Sequence, residues 1–392
     1  MVDQGFRVAV CEQLEDPAQA KGVVKRGVTR VVTPGTLIDA FLLDETKSNL
    51  LGAMYTDGST VSIAVTELST GTLELHQCPI GRVGDTLERL GLSEVIISED
   101  DAELEAIAKR FGIALTRRPA WMFNLDEGVT VLTKQYGVTT LEGFGLTAHD
   151  LRIAPTGALL TYLKQTQSVD SELQHLRPPA IVRSDTFVAL DATTIRSLEI
   201  EQTMKGNATE GSLLWVMQRC HTAMGKRLLR QWLCEPLADK EAIEKRQQVV
   251  SQFINENEML RKTQTILDQV QDVARIAGRV SVGRVTPRDI VALGKSINVC
   301  AELATVLESP ATQHVHAVLQ ELSDSFVPLA QTVQAQCIDS PPAHMREGGL
   351  FRDGFDAQLD EARLLQRDAG AWLSQYQAGL TESTGISTLK VG

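Results

Sequence analysis

The chain has 392 residues, enough for about two to three domains, and its 43% hydrophobic and 22% charged residues are those of an ordinary globular protein. That composition excludes a disordered chain, a collagen and a disulfide-stapled miniprotein. Lys and Arg number 38 against 50 Asp and Glu, a net charge of −12, so any nucleic-acid contact must come from local basic patches, and 5% aromatics argue against a stacking platform for single strands.

Phe6–Val10 and Val28–Val32 alternate as strands. A helical or loop piece lies between them, around Asp16-Pro17 and Lys21-Gly22, and Thr33-Pro34-Gly35-Thr36 closes the unit with turn chemistry. So short a unit buries no core alone and reads as the tail of a domain whose beginning is missing. From Asn49 to Cys78 a strand meander follows: Leu50–Tyr55, a turn at Asp57-Gly58, Val61–Val65, a turn at Ser69-Thr70-Gly71, then Thr72–Leu75. A helix near 83–91, a strand Glu94–Ser98 and a helix over 101–111 with Ala102, Leu104, Ile107 and Phe111 apolar complete a small α/β domain. Ala158, Leu159, Leu160, Tyr162 and Leu163 belong to its closing helix.

Strands fade near residue 185, and amphipathic helices run to about 383. Met224, Leu228, Leu229, Trp232 and Leu233 share one helix face, with Thr222 as N-cap and Pro236 as stop. Asp239 caps the next helix, whose apolar face is Ile243, Val250, Phe253 and Ile254. Thr286-Pro287-Arg288-Asp289 opens another, with a cap, a proline at the first helical position and an acid at the third. The last helix runs from Phe355 to about Leu380 with Leu359, Ala362, Leu365, Ala369, Trp372, Tyr376 and Leu380 on its apolar face. At roughly twice the average helix length it is expected to project as an arm or lever. Thr384-Gly385 breaks it, and Ile386–Val391 reads as a strand just starting.

No apolar run approaches the ~18–20 residues that span a bilayer, and the N-terminus lacks the apolar stretch of a signal peptide. The cysteines at 11, 78, 220, 234, 300 and 337 form no CxxC and fit no zinc spacing. They read as reduced thiols of a cytoplasmic protein with no membrane contact.

Phosphate loops fail on inspection. Met224-Gly225-Lys226-Arg227 mimics a P-loop, but Cys220 stands where the first Gly is required and Arg227 where Ser or Thr is required, so a helix start is the better reading. Gly143-Phe144-Gly145-Leu146-Thr147-Ala148 lacks the strand and βαβ frame of a dinucleotide fingerprint. His314 and His316 are two apart and fall on different sides of a helix, which disfavours a metal. There is no GxSxG and no HExxH. Asp57, Glu67 and Glu94, near the α/β strands, could be imagined as nuclease carboxylates, but Asp57 sits in a turn, where a solvated loop is the better reading. Two basic groups remain: Lys21, Lys25, Arg26 and Arg30, and Arg219, Lys226, Arg227 and Arg230. Each reads either as a solvated face or as a set of phosphate contacts.

Ala9-Val10-Cys11-Glu12-Gln13, Asp16-Pro17, Ala20-Lys21-Gly22 and Arg30-Val31-Val32-Thr33-Pro34-Gly35-Thr36 resemble the end of the mismatch-binding domain of the MutS family of DNA mismatch repair proteins. Leu190-Asp191-Ala192-Thr193-Thr194, Leu198-Glu199-Ile200, Gly211-Ser212-Leu213-Leu214-Trp215 and the run Met224 to Leu233 resemble the entry to that family's core. Gly354, Leu359-Asp360-Glu361-Ala362-Arg363, Thr384-Gly385-Ile386 and Leu389-Lys390-Val391-Gly392 resemble the lever entering the DNA clamp. The matches follow family order over nearly the whole chain.

The resemblance implies a multidomain α/β plus all-α fold. Residues 1–33 would be a remnant of the mixed α/β mismatch-recognition domain and 34–45 a linker. Residues 46–185 would be an RNase H-like α/β connector without nuclease activity, 186–383 the helical core with its lever, and 384–392 the start of the clamp. The family reads mismatches with a Phe-x-Glu wedge, inserted where a weak pair lowers the unstacking cost. Phe6 is followed by Arg7-Val8, so the motif is missing here. No Walker loop is present either. The chain is therefore expected to be an internal fragment with no catalytic, cofactor or metal residues of its own. ATP and Mg would belong to the full-length protein.

By the same resemblance, Arg26 is the expected phosphate contact of the first unit and Lys390 a second at the clamp. Ser383, where the family usually has Arg, leaves a contact there without its cation. The implied partners are duplex DNA with mismatches, MutL on the connector and a second copy in a homodimer, in the cytoplasm and on the nucleoid. The alternatives are a family paralogue acting in recombination, a helical protein-interaction scaffold without DNA binding, and an active RNase H-like nuclease in 46–185.

Overall fold

The computed structural model describes residues 1–2, 5–15, 22–167, 173–183, 186–367 and 369–386. The chain divides into two compact units, Met1–Val285 with Val299–Gln320, and Thr286–Asn298 with Glu321–Gly392.

The first unit opens with a two-stranded antiparallel hairpin of β1 (Val8–Gln13) and β2 (Arg26–Val32). The predicted alternation is there, a little further along the chain for β1. The piece expected at 16–21 lies outside the described residues. Beyond the hairpin, Thr33, Thr36, Leu37 and Ile38 are buried, so the front of the stretch expected as a linker is packed.

β3 (Leu51–Thr56), β4 (Thr60–Glu67) and β5 (Thr72–Pro79) form the meander, turned at Gly58 and Gly71, both at positive φ. Then come α1 (Val83–Leu90), β6 (Glu94–Ser98), α2 (Ala102–Arg110), β7 (Ala114–Arg118), α3 (Leu125–Tyr136), α4 (Ile153–Thr166) and the short β8 (Ala180–Ile181). They make one six-stranded sheet in the order β7-β6-β3-β4-β5-β8. β4 runs antiparallel to β3 and β5, while the β3–β6, β6–β7 and β5–β8 pairs are parallel.

Strand parity divides the core. Met54, Val61, Ile63, Val65, Val95 and Ile97 face α1 and α2, packing on Val83, Leu87, Leu104 and Ala108. Leu51, Ala53, Ala64, Leu75 and Ile96 face α3 and α4, packing on Leu132, Ile153, Leu159 and Leu163. Helices α3 and α4 approach closely at two glycines: a Cβ on Gly157 would stand 2.5 Å from the Gly128 Cα. Gly157→Val is expected to cost about 2–3 kcal/mol by overpacking, measured as a lowered urea midpoint.

The helical part of this unit holds α5 (Ala192–Ser197), α6 (Leu213–Met217), α7 (Ala223–Cys234), α8 (Lys240–Asn255), α9 (Asn257–Leu267) and α10 (Val273–Ser281). The predicted caps are present: the Thr222 hydroxyl accepts from the Gly225 amide at 3.0 Å, and the Asp239 carboxylate accepts from the Ala242 amide at 2.8 Å. The predicted faces are corrected. On α7 it is Arg227 and Cys234 that are buried, while Leu228 and Trp232 are exposed. The helix turns its basic side inward because acidic partners wait there; Trp232 instead carries the Arg246 guanidinium at 3.6 Å over its ring. Of the predicted α8 face, Val250 and Ile254 are exposed and Ile243 and Phe253 are part-buried. Phe253 joins Met259, Ile266, Leu303 and Leu307 in a separate small core.

Helix α11 (Pro287–Val306) starts with the predicted cap: the Thr286 hydroxyl accepts from the Asp289 amide, and the Asp289 carboxylate accepts from the Thr286 amide at 2.9 Å. Helix α12 (Gln313–Gln336) carries Pro328 inside it. In the second unit Val291, Cys337 and Leu350 are buried together. The predicted last helix is found as α13 (Ala357–Arg367) and α14 (Ala369–Thr384), flanking residue 368, and Gly385 ends it at positive φ. None of their described residues is buried, and Trp372 stacks on Tyr376 in the open.

Burial decides thiol chemistry. Cys234 is 1% exposed and its thiol is pushed up to about 12, burial being the first cause and the Glu201 charge the next, whereas Cys11 is exposed. A maleimide titration of the native chain is therefore expected to label Cys11 first and to leave Cys234 untouched until unfolding.

Candidate nucleic-acid interface

The hairpin sets Arg26 at the first position of β2, opposite Gln13, with its side chain exposed. Lys25 beside it is also exposed, and its amide donates to the Glu15 carboxylate at 2.7 Å, at the loop end of the hairpin. Among the described residues Arg26 has no ion-pair partner. Arg30, four residues on, is committed to Asp39 at 3.0 Å. Lys21 lies outside the described residues, as does Lys390. The two residues expected to contact phosphate are therefore not brought together by any described geometry; what stands is a small cationic edge of Lys25 and Arg26.

Three of the four cations of the second basic group are engaged in ion pairs. Arg227, on α7, grips Asp272 with both terminal nitrogens at 2.7 and 2.9 Å. Lys226 reaches the Glu45 carboxylate, and Arg230 pairs with Glu201. Only Arg219 is exposed and outside an ion pair among the described residues, its Nη1 resting on the Gln218 carbonyl. Burial alone would raise the Asp272 carboxyl, but the Arg227 hydrogen bonds and charge outweigh it and hold it below the ordinary range. A carboxyl whose folded pKa is depressed adds stability above its unfolded value and loses it as the pH falls through the folded one. The Arg227–Asp272 contribution, read as the difference in urea midpoint between the chain and Asp272→Asn, is thus expected to be constant from neutrality to about pH 5 and to shrink below about pH 4.

The conceivable nuclease carboxylates are dispersed and occupied. Asp57 caps its own turn, accepting from the Ser59 and Thr60 amides. Glu67 ends β4 and accepts from Arg275 at 3.0 Å. Glu94 starts β6 and is enclosed by hydroxyls: Thr33 and the Gly35 amide on Oε2, Thr116 and Tyr162 on Oε1. Among the described residues no group of three or more His, Cys, Asp or Glu could hold a metal ion. The His316 Nδ1 meets the Ala304 carbonyl at 2.9 Å, and His314 is exposed. The glycine-rich stretch at 143–148 is a single 3-10 turn, Glu142–Phe144, with Gly145 left-handed after it. Among the described residues no helix is long and apolar enough to cross a membrane.

Sequence reasoning passed over Arg275, Asp272 and the role of Glu94. Their signal is faint but present: Arg275 and Arg279 inside the otherwise mostly apolar run Val273–Val282, and an acid opening the strand just before Val95-Ile96-Ile97.

Three family models match in succession: MutS domain I over residues 1–40, MutS domain II over 49–177 and MutS domain III over 193–384. Curated relatives named DNA mismatch repair protein MutS align over the whole chain. They come from Symbiobacterium thermophilum (35% identical, covering 45% of that protein), Alkaliphilus oremlandii (32%, 45%) and Rhodopirellula baltica (36%, 46%). The chain thus spans about half the length of the relatives it matches. A hairpin, a mixed sheet sandwiched by helices and a run of helices therefore occur in the order of MutS domains I, II and III, and the chain belongs to the MutS family.

Proposed function

We propose that this chain serves DNA mismatch repair as the mechanical middle of a MutS-type protein. In this reading residues 46–185 are an RNase H-like connector and 186–383 a helical core with its lever. ATP-dependent signalling to MutL, and the homodimer that performs it in the cytoplasm, belong to the full-length protein. The observation that carries the reading is the order of the three matched domains along one chain. The sheet order β7-β6-β3-β4-β5 with only β4 reversed among those strands supports the RNase H-like assignment, and the engagement of Glu67 and Glu94 in internal bonds speaks against nuclease action.

Arg26 is the phosphate contact of the hairpin, with Lys390 a second near the chain's end. A guanidinium on phosphate adds affinity without reading sequence. Arg26→Glu is expected to weaken duplex binding about tenfold at low salt and to reduce the salt slope by about one, equally on matched and mismatched duplexes. Unchanged affinity and slope in a fluorescence-anisotropy titration would remove Arg26 from the interface.

A further inference from the structure

Three segments of the first unit meet at two buried arginines. Arg275, 4% exposed and on the first turn of α10, donates from Nη1 to the Asp44 carbonyl at 2.8 Å. Its Nη2 donates to the Lys47 carbonyl at 2.6 Å and to the Glu67 carboxylate at 3.0 Å. Arg227 on α7 donates to the Glu45 carbonyl at 3.1 Å while holding Asp272, the N-cap of α10. One turn further along α10, Gly278 lies against the Ser69 carbonyl in the β4–β5 turn. Residues 44–47 are the tether that leads from the N-terminal hairpin segment into β3. Three of their carbonyls are taken by helical side chains rather than by the sheet.

We propose that this junction is a conformational coupling: the 44–47 tether is welded to α7 and α10, so a displacement of the tether displaces those helices with it. The guanidinium makes the weld stiff. Its planar fork presents fixed directions: the two terminal nitrogens of Arg275 spend theirs on two separate backbone carbonyls and a carboxylate, while Nε is buried without a hydrogen-bond partner among the described residues. That carboxylate also accepts from the Ser69 hydroxyl of the β4–β5 turn and from the Asn49 amide just before β3. A buried fork of this kind holds or lets go; partial slippage would strand desolvated donors and acceptors. The coupling involves contacts within this chain only and stands apart from the DNA reading.

Hydrogen exchange on the intact chain tests it from both sides. Arg275→Lys keeps the charge and loses the fork. It is expected to speed exchange about tenfold in residues 44–50 and 272–282 together, with strand amides in 52–66 unchanged. A two-glycine insertion between Glu45 and Thr46 perturbs the tether alone and is expected to raise exchange in 272–282 as well. Acceleration confined to the segment that was altered, or absent from both, would overturn the coupling. If Arg275→Met unfolds the strands too, the lysine variant and the insertion still decide the question.

Discussion

Glu94→Ala is expected to destabilise the α/β layer by about 3–5 kcal/mol, the largest effect of any single side-chain truncation considered. Glu94 is 1% exposed. Its two oxygens gather the Thr33 and Gly35 end of the N-terminal segment, Thr116 of β7 and Tyr162 of α4. Strand parity explains the meeting, since Glu94 and Ile96 point to the same face as α4, and Thr116 is the register partner of Ile96. Alanine leaves the Gly35 amide and the Tyr162 hydroxyl buried without an acceptor, and each such loss costs about 1–3 kcal/mol. Gln separates chemistry from shape. Its oxygen can keep the Gly35 amide, and its amino group can donate to the Thr116 and Tyr162 hydroxyls, so Glu94→Gln is expected to cost less than half as much. Equal losses for Ala and Gln in urea titrations would mean that packing, not hydrogen bonding, holds the site.

Gly278→Ala is the second large effect, and its sign is the informative part. Glycine to alanine inside a helix ordinarily gains up to about 1 kcal/mol. At Gly278 the added Cβ would overlap the Ser69 carbonyl, which is backbone and cannot swing away. The expected result is a loss of about 2–3 kcal/mol. Gly370 in α14 is the control, because a Cβ there meets nothing within 4 Å. Gly370→Ala is expected to be neutral or stabilising. Matching signs at the two positions would contradict the close approach of α10 to the β4–β5 turn.

Much of this was legible in the sequence, and the exceptions share a cause. The meander turns at Gly58 and Gly71, the strand Glu94–Ser98 and the caps at Thr222, Asp239 and Thr286 are local signals, fixed by residues within a few positions of one another. β7 escaped because it is a five-residue strand ending in two arginines, and β8 because two residues carry no period. Helix α3 was overlooked although Asn124 caps it and Gly137 ends it in the left-handed region.

The face of α7 was misread for a different reason. Hydrophobic periodicity assumes that apolar residues go inward, whereas Arg227 is buried by Asp272, 45 residues away in the chain. No window along the sequence contains both. The same distance hid Arg275, whose partners stand 208 to 231 positions away. Of the expected phosphate contacts, Arg26 is exposed, and Lys390 lies outside the described residues.

The most direct test is a titration of the intact chain with matched and single-mismatch duplexes at about 50 and 200 mM salt. Phosphate contacts without a mismatch wedge predict weak binding that falls steeply with salt and is the same for both duplexes. Tight binding that favours the mismatched duplex and survives the higher salt would contradict the reading of these residues as strut rather than sensor.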